Sequence, residues 1–155
     1  MVDKQKTIDK SVTVSGTGLH TGQLGQITMH SAPENHGIKF RRVDIESKPI
    51  IDADINLVVS TDRGTTLSKN GYSLYTIEHL LAAFMGLGVD NVMIDVDMEE
   101  IPIKDGSSIH FINAIKEAGI VEQKANRKYI EITEPISYII PDKNIEMLIE
   151  PAEKF

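Results

Sequence analysis

Apolar and polar residues alternate along most of the first sixty positions. Four stretches show this alternation or are rich in β-branched residues, and Gly, Pro or Asn residues separate them: SVTVSG (11–16), QITMH (26–30), GIKFRRVD (37–44) and IIDADINLVV (50–59). Alternation of this kind is typical of strands with one buried face. Asn70-Gly71 then lies between two strand-like flanks and predicts a tight hairpin turn.

The hydrophobic period changes after Tyr75. Apolar residues recur there at the i, i+3, i+4 and i+7 spacing of one helical stripe: Ile77, Leu80, Leu81 and Phe84. We predict a helix over residues 76–86, with Thr76 as its N-cap and Gly86 or Gly88 as its end. Its first turn carries an adjacent acid and imidazole, Glu78 and His79, which point away from the stripe.

A strand and a second helix are predicted next. VDNVMIDVDM (89–98) alternates as a strand does, and the turn-rich EEIPIKDGSS (99–108) follows it. A helix from about His110 to Ala118 should begin after Ser107 or Ser108 and end at Gly119. Strands, helix, strand and helix in this order favour an α+β fold, a two-layer sandwich over residues 1–121.

The remaining residues give a different pattern. EQKANRK (122–128) is polar and is interpreted as a linker. Three strand candidates follow without a helix to cover them: YIEIT (129–133), ISYII (136–140) and IEMLI (145–149). A strand set without a covering element is rarely stable alone. We therefore interpret residues 129–155 as the start of a second, incomplete domain.

Composition narrows the functional class. The 155 residues include 16 basic and 23 acidic side chains, and no cluster of basic residues is larger than Arg41-Arg42 or Arg127-Lys128. This balance argues against nucleic acid as a partner. The chain has no Cys, its charged N-terminus lacks the apolar core of a secretion signal, and its longest apolar-rich run is too short for a transmembrane segment. A cytoplasmic protein is expected.

Glu78 and His79 are the first candidates for chemistry. An imidazole can bind a metal, and a neighbouring carboxylate can act on a metal-activated water. The local sequence fits neither H-E-x-x-H nor its inverted form, so further ligands would come from distant positions. The alternative is a non-catalytic α+β binding module, in which His79 donates to a carbonyl and Glu78 only favours the helix N-terminus.

Four motifs together point to one family. GTGLHTG (16–22), TIEHLLAA (76–83), GVDNV (88–92) and EIPIKDGSS (100–108) occur in this order. The chain resembles the UDP-3-O-acyl-N-acetylglucosamine deacetylases from about residue 5 to its end. These are zinc-dependent amidases of lipid A biosynthesis in Gram-negative bacteria.

The resemblance implies two similar α+β sandwich domains with the active site between them. It implies that His79 is a zinc ligand and that Glu78 is the general base for amide hydrolysis. The family's other ligands, in a His-Lys-x-x-x-Asp motif, and its acid His belong to the second domain. No His follows Val121 here, so this chain alone is expected to be inactive. Some members are fused to a hydroxyacyl-thioester dehydratase.

The resemblance also suggests two substrate-binding residues. His20 lies in a glycine-flanked loop that matches a His near the family's active site, although a turn His bonding its own backbone is an equal alternative. Thr65 lies in a segment that borders the zinc cleft in the family. The acidic group Asp97, Glu99 and Glu100 is interpreted as a solvated strand end, and KDGSS (104–108) as a tight turn rather than a phosphate cradle.

Overall fold

The computed structural model describes residues 3–152. Its strands are β1 (Lys4–Ile8), β2 (Val12–Thr17), β3 (Leu24–Ser31), β4 (Ile38–Arg42), β5 (Ile50–Asp52), β6 (Val58–Ser60), β7 (Thr66–Lys69), β8 (Tyr72–Leu74), β9 (Val92–Val96), β10 (Ile120–Asn126), β11 (Ile136–Ile140) and β12 (Ile145–Ile149). The α-helices are α1 (Glu78–Leu87) and α2 (Ile109–Ala118), and two 3₁₀ turns cover Ile55–Leu57 and Pro141–Lys143. Within residues 3–152, no helix has the length and hydrophobicity that a membrane span requires.

A five-stranded sheet in the order β2-β3-β9-β4-β5 forms one layer. All its neighbouring strands are antiparallel except β4 and β9, which are parallel. Its inner face and the apolar faces of α1 and α2 form one buried cluster, which includes the fully buried Phe40, Phe84 and Phe111. Burying each such ring stabilises the fold by about 1.5–3 kcal/mol. The α+β sandwich expected from the sequence is confirmed.

The predicted hairpin joins β7 to β8. Asn70 and Gly71 have φ angles of 53° and 83°, the left-handed values that a type I′ turn requires at both central positions. These strands form a separate three-stranded sheet with β6. Since β8 ends at Leu74, the hairpin delivers the chain to the start of α1.

The two helices are confirmed, and Ser108 is one of the two positions predicted to precede α2, but the N-cap of α1 differs from the prediction. Ile77, not Thr76, occupies the N-cap of α1, and Thr76 has a φ of 59°. Thr76 is no cap because its hydroxyl donates to the buried Glu100 carboxylate instead. Ser108 occupies the N-cap of α2, but its hydroxyl donates to the His79 carbonyl, 2.8 Å away. Gly88 ends α1 in the left-handed conformation, as predicted.

The interpretation of residues 122–128 as a linker is wrong, because β10 covers most of them and pairs with β1. Neither β1 nor β10 shows a regular alternation of apolar and polar residues in the sequence. Amide side chains occupy some of the positions that face the domain. Gln5 is buried, and its Oε1 accepts a hydrogen bond from Asn91 Nδ2. The same Asn91 amide donates to Gln123 Oε1 at 2.7 Å. This polar network holds the ribbon on the domain together with Ile8 of β1, which is fully buried in the apolar cluster.

Residues 129–152 contain less strand than predicted. ISYII and IEMLI form the antiparallel pair β11–β12, as expected, but YIEIT has no regular structure. It pairs with no strand, so the prediction of a strand there is wrong. The assignment of residues 129–155 to a second domain stays a prediction, and residues 153–155 lie outside the described part of the chain.

Candidate active site

Glu78 and His79 lie side by side in the first turn of α1. His79 Nε2 is 3.9 Å from Glu78 Oε1, and the two side chains are 30% and 37% exposed. Both groups are therefore accessible without being fully solvated. The position agrees with the sequence prediction that the pair lies off the buried stripe of the helix.

One oxygen of the Glu78 carboxylate is fixed by the segment before β7. The Thr65 N–H donates to Glu78 Oε2 at 2.9 Å. Arg63, two residues earlier, has a φ of 57°, in the left-handed region. The backbone of Thr65 thus orients Glu78, and substrate binding by Thr65 stays a prediction.

His20 approaches the same place from the loop between β2 and β3. Its Nε2 lies 3.1 Å from the Arg63 carbonyl oxygen, so Nε2 carries the proton in this arrangement. The alternative, a His that bonds its own turn, is wrong. His20 Nε2 and Glu78 Oε1 both lie within 4 Å of the point that a Cβ on Gly64 would occupy. The role of His20 in substrate binding stays a prediction.

Glu100 is a buried acid beside these groups that sequence reasoning missed. It is fully buried, so the interpretation of Glu100 as part of a solvated strand end is wrong. Its carboxylate accepts hydrogen bonds from the His20 N–H, from the N–H and hydroxyl of Thr21, and from the Thr76 hydroxyl. Burial would raise the pKa of the Glu100 carboxyl, but these donors lower it below its usual value.

A sequence signal for the burial of Glu100 exists. Val96, Met98 and Glu100 continue the period-two alternation of β9, and all three are buried. The neighbours Asp97 and Glu99 are exposed, as expected. An acid in phase with buried apolar positions therefore indicates a buried carboxylate that needs hydrogen-bond donors.

A cleft of about 480 Å³ opens beside these groups, within the roughly 300–1,000 Å³ typical of small-molecule sites. Its walls come from the loop of His20, the 59–64 segment and the strand β8 region: His20, Thr21, Val59, Ser60, Asp62, Arg63, Gly64, Thr66, Ser73, Tyr75 and Thr76. His20 and Gly64 link this cleft to the Glu78 carboxylate. A small molecule in this cleft would therefore lie close to the Glu78 carboxylate.

The described residues fit only part of a metal site. Residues 3–152 contain no cluster of three or more His, Cys, Asp or Glu side chains placed to hold an ion. A catalytic zinc ion needs about three protein ligands. His79 fits as one of them, since its ring is partly exposed and its backbone is anchored through the Ser108 hydroxyl.

The KDGSS segment is a tight turn, as predicted. The Asp105 carboxylate accepts hydrogen bonds from the hydroxyl and N–H of Ser107, and these lower the pKa of Asp105 to about 2. His110 Nε2 lies 3.0 Å from the same carboxylate. Asp105 thus stabilises the turn that precedes α2.

A second acid–imidazole group lies on the outer face of the sheet. Ser11 Oγ is 2.9 Å from His30 Nδ1, and His30 Nε2 is 3.1 Å from Asp95. Arg41 binds both oxygens of Asp95, at 2.6 and 2.9 Å. Asp95 is therefore shared between the His30 ring and the Arg41 guanidinium and does not face the imidazole alone. The group is an electrostatic link across the strands.

Comparisons with a family model and with known proteins agree on one family. The sequence model described as "LpxC: UDP-3-O-acyl N-acetylglycosamine deacetylase" matches residues 5–155. A UDP-3-O-acyl-N-acetylglucosamine deacetylase of Saccharophagus degradans is 44% identical over 152 residues, which cover 98% of this chain and 50% of the relative. A "Bifunctional enzyme LpxC/FabZ" of Porphyromonas gingivalis is 43% identical over 154 residues, 99% of this chain and 33% of the relative. The chain thus spans about a third to a half of the length of these relatives.

Proposed function

The chain belongs to the UDP-3-O-acyl N-acetylglycosamine deacetylase family, and on this basis we propose that it is the N-terminal part of a deacetylase of lipid A biosynthesis. The substrate is a UDP-linked, 3-O-acylated N-acetylglucosamine, and the reaction is hydrolysis of its N-acetyl amide. One observation carries the proposal. The Glu78 carboxylate, with one oxygen held by Thr65, lies next to the accessible His79 ring and close to Gly64, which lines the cleft.

The two carboxylate oxygens of Glu78 have different roles. Oε2 accepts the Thr65 N–H and is thereby fixed, whereas Oε1 faces the His79 side and accepts a proton from the attacking water. His79 contributes its ring nitrogen to a zinc ion. When bound, zinc supplies a Lewis acid that makes a nearby water easier to deprotonate. The Ser108 hydroxyl holds the His79 backbone, so the ring is presented from a fixed helical turn.

The remaining ligands and the proton donor for the leaving amine come from a second domain of the same protein. Two surfaces support this proposal. An exposed stripe of α1 continues from Glu78 through Ala82 to Met85, which is 79% exposed. The β11–β12 hairpin also presents apolar side chains without a covering helix. This chain alone should therefore be inactive, and the complete enzyme should act in the cytoplasm.

The decisive experiment replaces Glu78 by Gln in the complete enzyme. Loss of general-base assistance should lower kcat about 10²–10⁴-fold, while zinc content and KM stay near wild type. Glu117→Gln, an exposed acid in α2, is the matched control and should leave kcat unchanged. Single-turnover amine release and metal analysis of each variant provide the measurements. A Glu78→Gln enzyme within about threefold of wild type would exclude Glu78 as the base.

Zinc content tests the proposed role of His79 as a metal ligand. His79→Ala should lower zinc content in the complete enzyme, whereas the isolated 155-residue chain should bind zinc only weakly because it provides too few ligands. Submicromolar zinc binding by the isolated chain would contradict this ligand set and direct attention to His20.

A complete, zinc-loaded enzyme without deacetylase activity would favour the non-catalytic binding module. The gene sequence beyond Phe155 would decide whether a hydroxyacyl-thioester dehydratase is fused to the enzyme.

A further inference from the structure

Glu100 is a buried acid that the proposed chemistry does not use. It is fully buried, and four donor groups surround its carboxylate. Among the described residues, none of its hydrogen-bond partners is a cationic side chain. A buried carboxylate without a counter-ion is costly unless its hydrogen bonds are complete. The arrangement therefore needs a physical reason beyond simple packing.

The Glu100 carboxylate joins two segments at the site. Oε2 accepts the N–H and hydroxyl of Thr21 at 2.8 and 2.7 Å, and Oε1 accepts the His20 N–H at 2.9 Å. Oε1 also accepts the Thr76 hydroxyl at 3.1 Å. A Cβ on Gly18 would collide with this carboxylate, so the loop can close around Glu100 only with glycine there.

Thr76 is held in a conformation that β-branched residues rarely adopt. Its φ of 59° lies in the left-handed region, and it directly precedes the first turn of α1. Such strain persists only where the surroundings enforce it. The hydrogen bond from Thr76 to Glu100 is one of the contacts that enforce it, and Glu78 lies two residues later.

A second route runs through His20. Glu100 fixes the His20 backbone, the His20 ring binds the Arg63 carbonyl, and the Thr65 N–H holds Glu78 Oε2. Each step is a direct hydrogen bond of 2.9 to 3.1 Å. Two routes thus connect Glu100 to Glu78, one through Thr76 and one through His20 and the 63–65 segment. The two carboxylates have no hydrogen bond to each other.

We propose that Glu100 is a positioning residue for the deacetylation, which fixes the orientation of Glu78 through His20 and the 63–65 segment and through Thr76. This inference rests on the proposed function, because the orientation matters only if Glu78 acts on the substrate. Misplacement of a reacting group by a distant change typically costs up to about 100-fold in rate.

Kinetics of the complete enzyme provide the first test. Glu100→Gln keeps the side-chain shape but turns one acceptor into a donor, so kcat should fall about 10- to 100-fold, with zinc content unchanged and KM within about threefold. Glu99→Gln, the exposed neighbour, is the matched control and should behave as wild type. In a His20→Ala background, Glu100→Gln should have a smaller effect than in the wild type, since the two residues share one route. Full additivity of the two effects, or a kcat loss that only follows zinc loss, would overturn the proposal.

A milder pair of variants covers the case in which Glu100→Gln does not fold. Thr21→Val removes one hydroxyl donor to Glu100 while keeping the side-chain shape, and Thr21→Ser restores that donor. Thr21→Val should lower kcat severalfold and Thr21→Ser should recover it. Equal activity of both variants with the wild type would overturn the proposal.

Amide exchange of the same proteins gives a readout that does not depend on activity. In Glu100→Gln, the Thr65 amide should exchange about tenfold faster through local opening because it loses its fixed partner Glu78, while the Ile94 amide in β9, which exchanges through global unfolding, should change only by the factor that the loss of global stability sets. Unchanged exchange at Thr65 would overturn the proposal. If the wild-type enzyme does not deacetylate the substrate, the proposed function fails, whereas this measurement still decides whether Glu100 holds the 63–65 segment.

Discussion

Two regions of the chain use similar sequence patterns with opposite results. In residues 3–126, which we call the body, alternating strands place their apolar side chains in one buried cluster. In residues 127–152, which we call the tail, no residue is buried. The register of β11 and β12 nevertheless creates an apolar face: Ile136, Tyr138 and Ile140 lie opposite Ile149, Met147 and Ile145.

The difference between the regions lies in the second layer. In β9, Val92, Ile94 and Val96 are completely buried in the cluster that α1 and α2 share with the sheet. No helix packs on β11–β12 within residues 3–152. Alternation in a sequence therefore predicts which face of a strand can be buried, but a covering element decides whether it is buried. This supports the proposal that the tail is completed by further chain.

Amide exchange should show the largest contrast between body and tail. Amides of β9 should exchange only through global unfolding, because their strand lies inside the sheet. A two-stranded hairpin is marginal in water, so amides of β11 and β12 should exchange at least about 10³-fold faster. Exchange of the 155-residue chain as a monomer, followed by NMR, measures this ratio. Equal protection in both regions would show that the tail has a partner, and pairing with a second copy would appear as a concentration dependence.

Truncation of one aromatic side chain in each region should give the next largest contrast, in the free energy of unfolding. Phe84→Ala removes a fully buried ring from α1 and should lower the free energy of unfolding by about 3–5 kcal/mol. Tyr138→Ala removes a 55% exposed ring from β11 and should change it by less than about 0.5 kcal/mol. Denaturant titration of both variants provides the comparison. A large loss in Tyr138→Ala would mean that the tail packs in solution.

Acid should weaken the body through Glu100. Because hydrogen bonds lower its folded pKa below the ordinary 4.5, its contribution is complete above pH 4.5 and is lost as pH falls through the folded value. Glu100→Gln should therefore lower the free energy of unfolding by about 1.5–3 kcal/mol at pH 7, and this difference should shrink below pH 4.5. Glu146→Gln, an exposed acid of the tail, is the control. A pH-independent difference for Glu100→Gln would exclude the depressed pKa as its cause.

The sequence predicted the sheet well where side-chain polarity follows burial. The strand around Ile94, the Asn70-Gly71 turn and both helices have strong local signals, and all are found in the structure. The ribbon β1–β10 was missed because Gln5 and Gln123 face other amides instead of an apolar core. Local patterns carry no information about such partners, which come from distant parts of the chain.

The same distinction between local signals and distant partners applies to the candidate site. Glu78 and His79 are predicted from their place beside a helical stripe and from a family motif, which are local features. Glu100 was misread because its donors belong to loops about 24 and 80 residues away, and only its phase with Met98 indicated burial. Thr76 was assigned as a cap for a similar reason, since its hydroxyl prefers the distant carboxylate.

A small and local effect is expected at Arg127, the residue at which body and tail meet. Its N–H donates to the Asp3 carbonyl, and its Nε lies 2.7 Å from Asp90. Asp90 keeps a second partner, the Lys6 N–H, and both charged side chains are partly exposed. Arg127→Ala should therefore cost only about 0.5–1 kcal/mol of unfolding free energy.

The exchange pattern of Arg127→Ala tests the boundary between the two regions. Amides near Asn126 at the end of β10 should exchange faster, because the ion pair holds that end against the body, whereas β11 and β12 should not change. Lys128→Ala, an exposed neighbour, should have neither effect. A change of exchange in β11–β12, or a loss above about 2 kcal/mol, exceeds what one partly exposed ion pair can contribute. Such a result would mean that the tail is coupled to the body through Arg127, and the contrast between the two regions would then be one of degree.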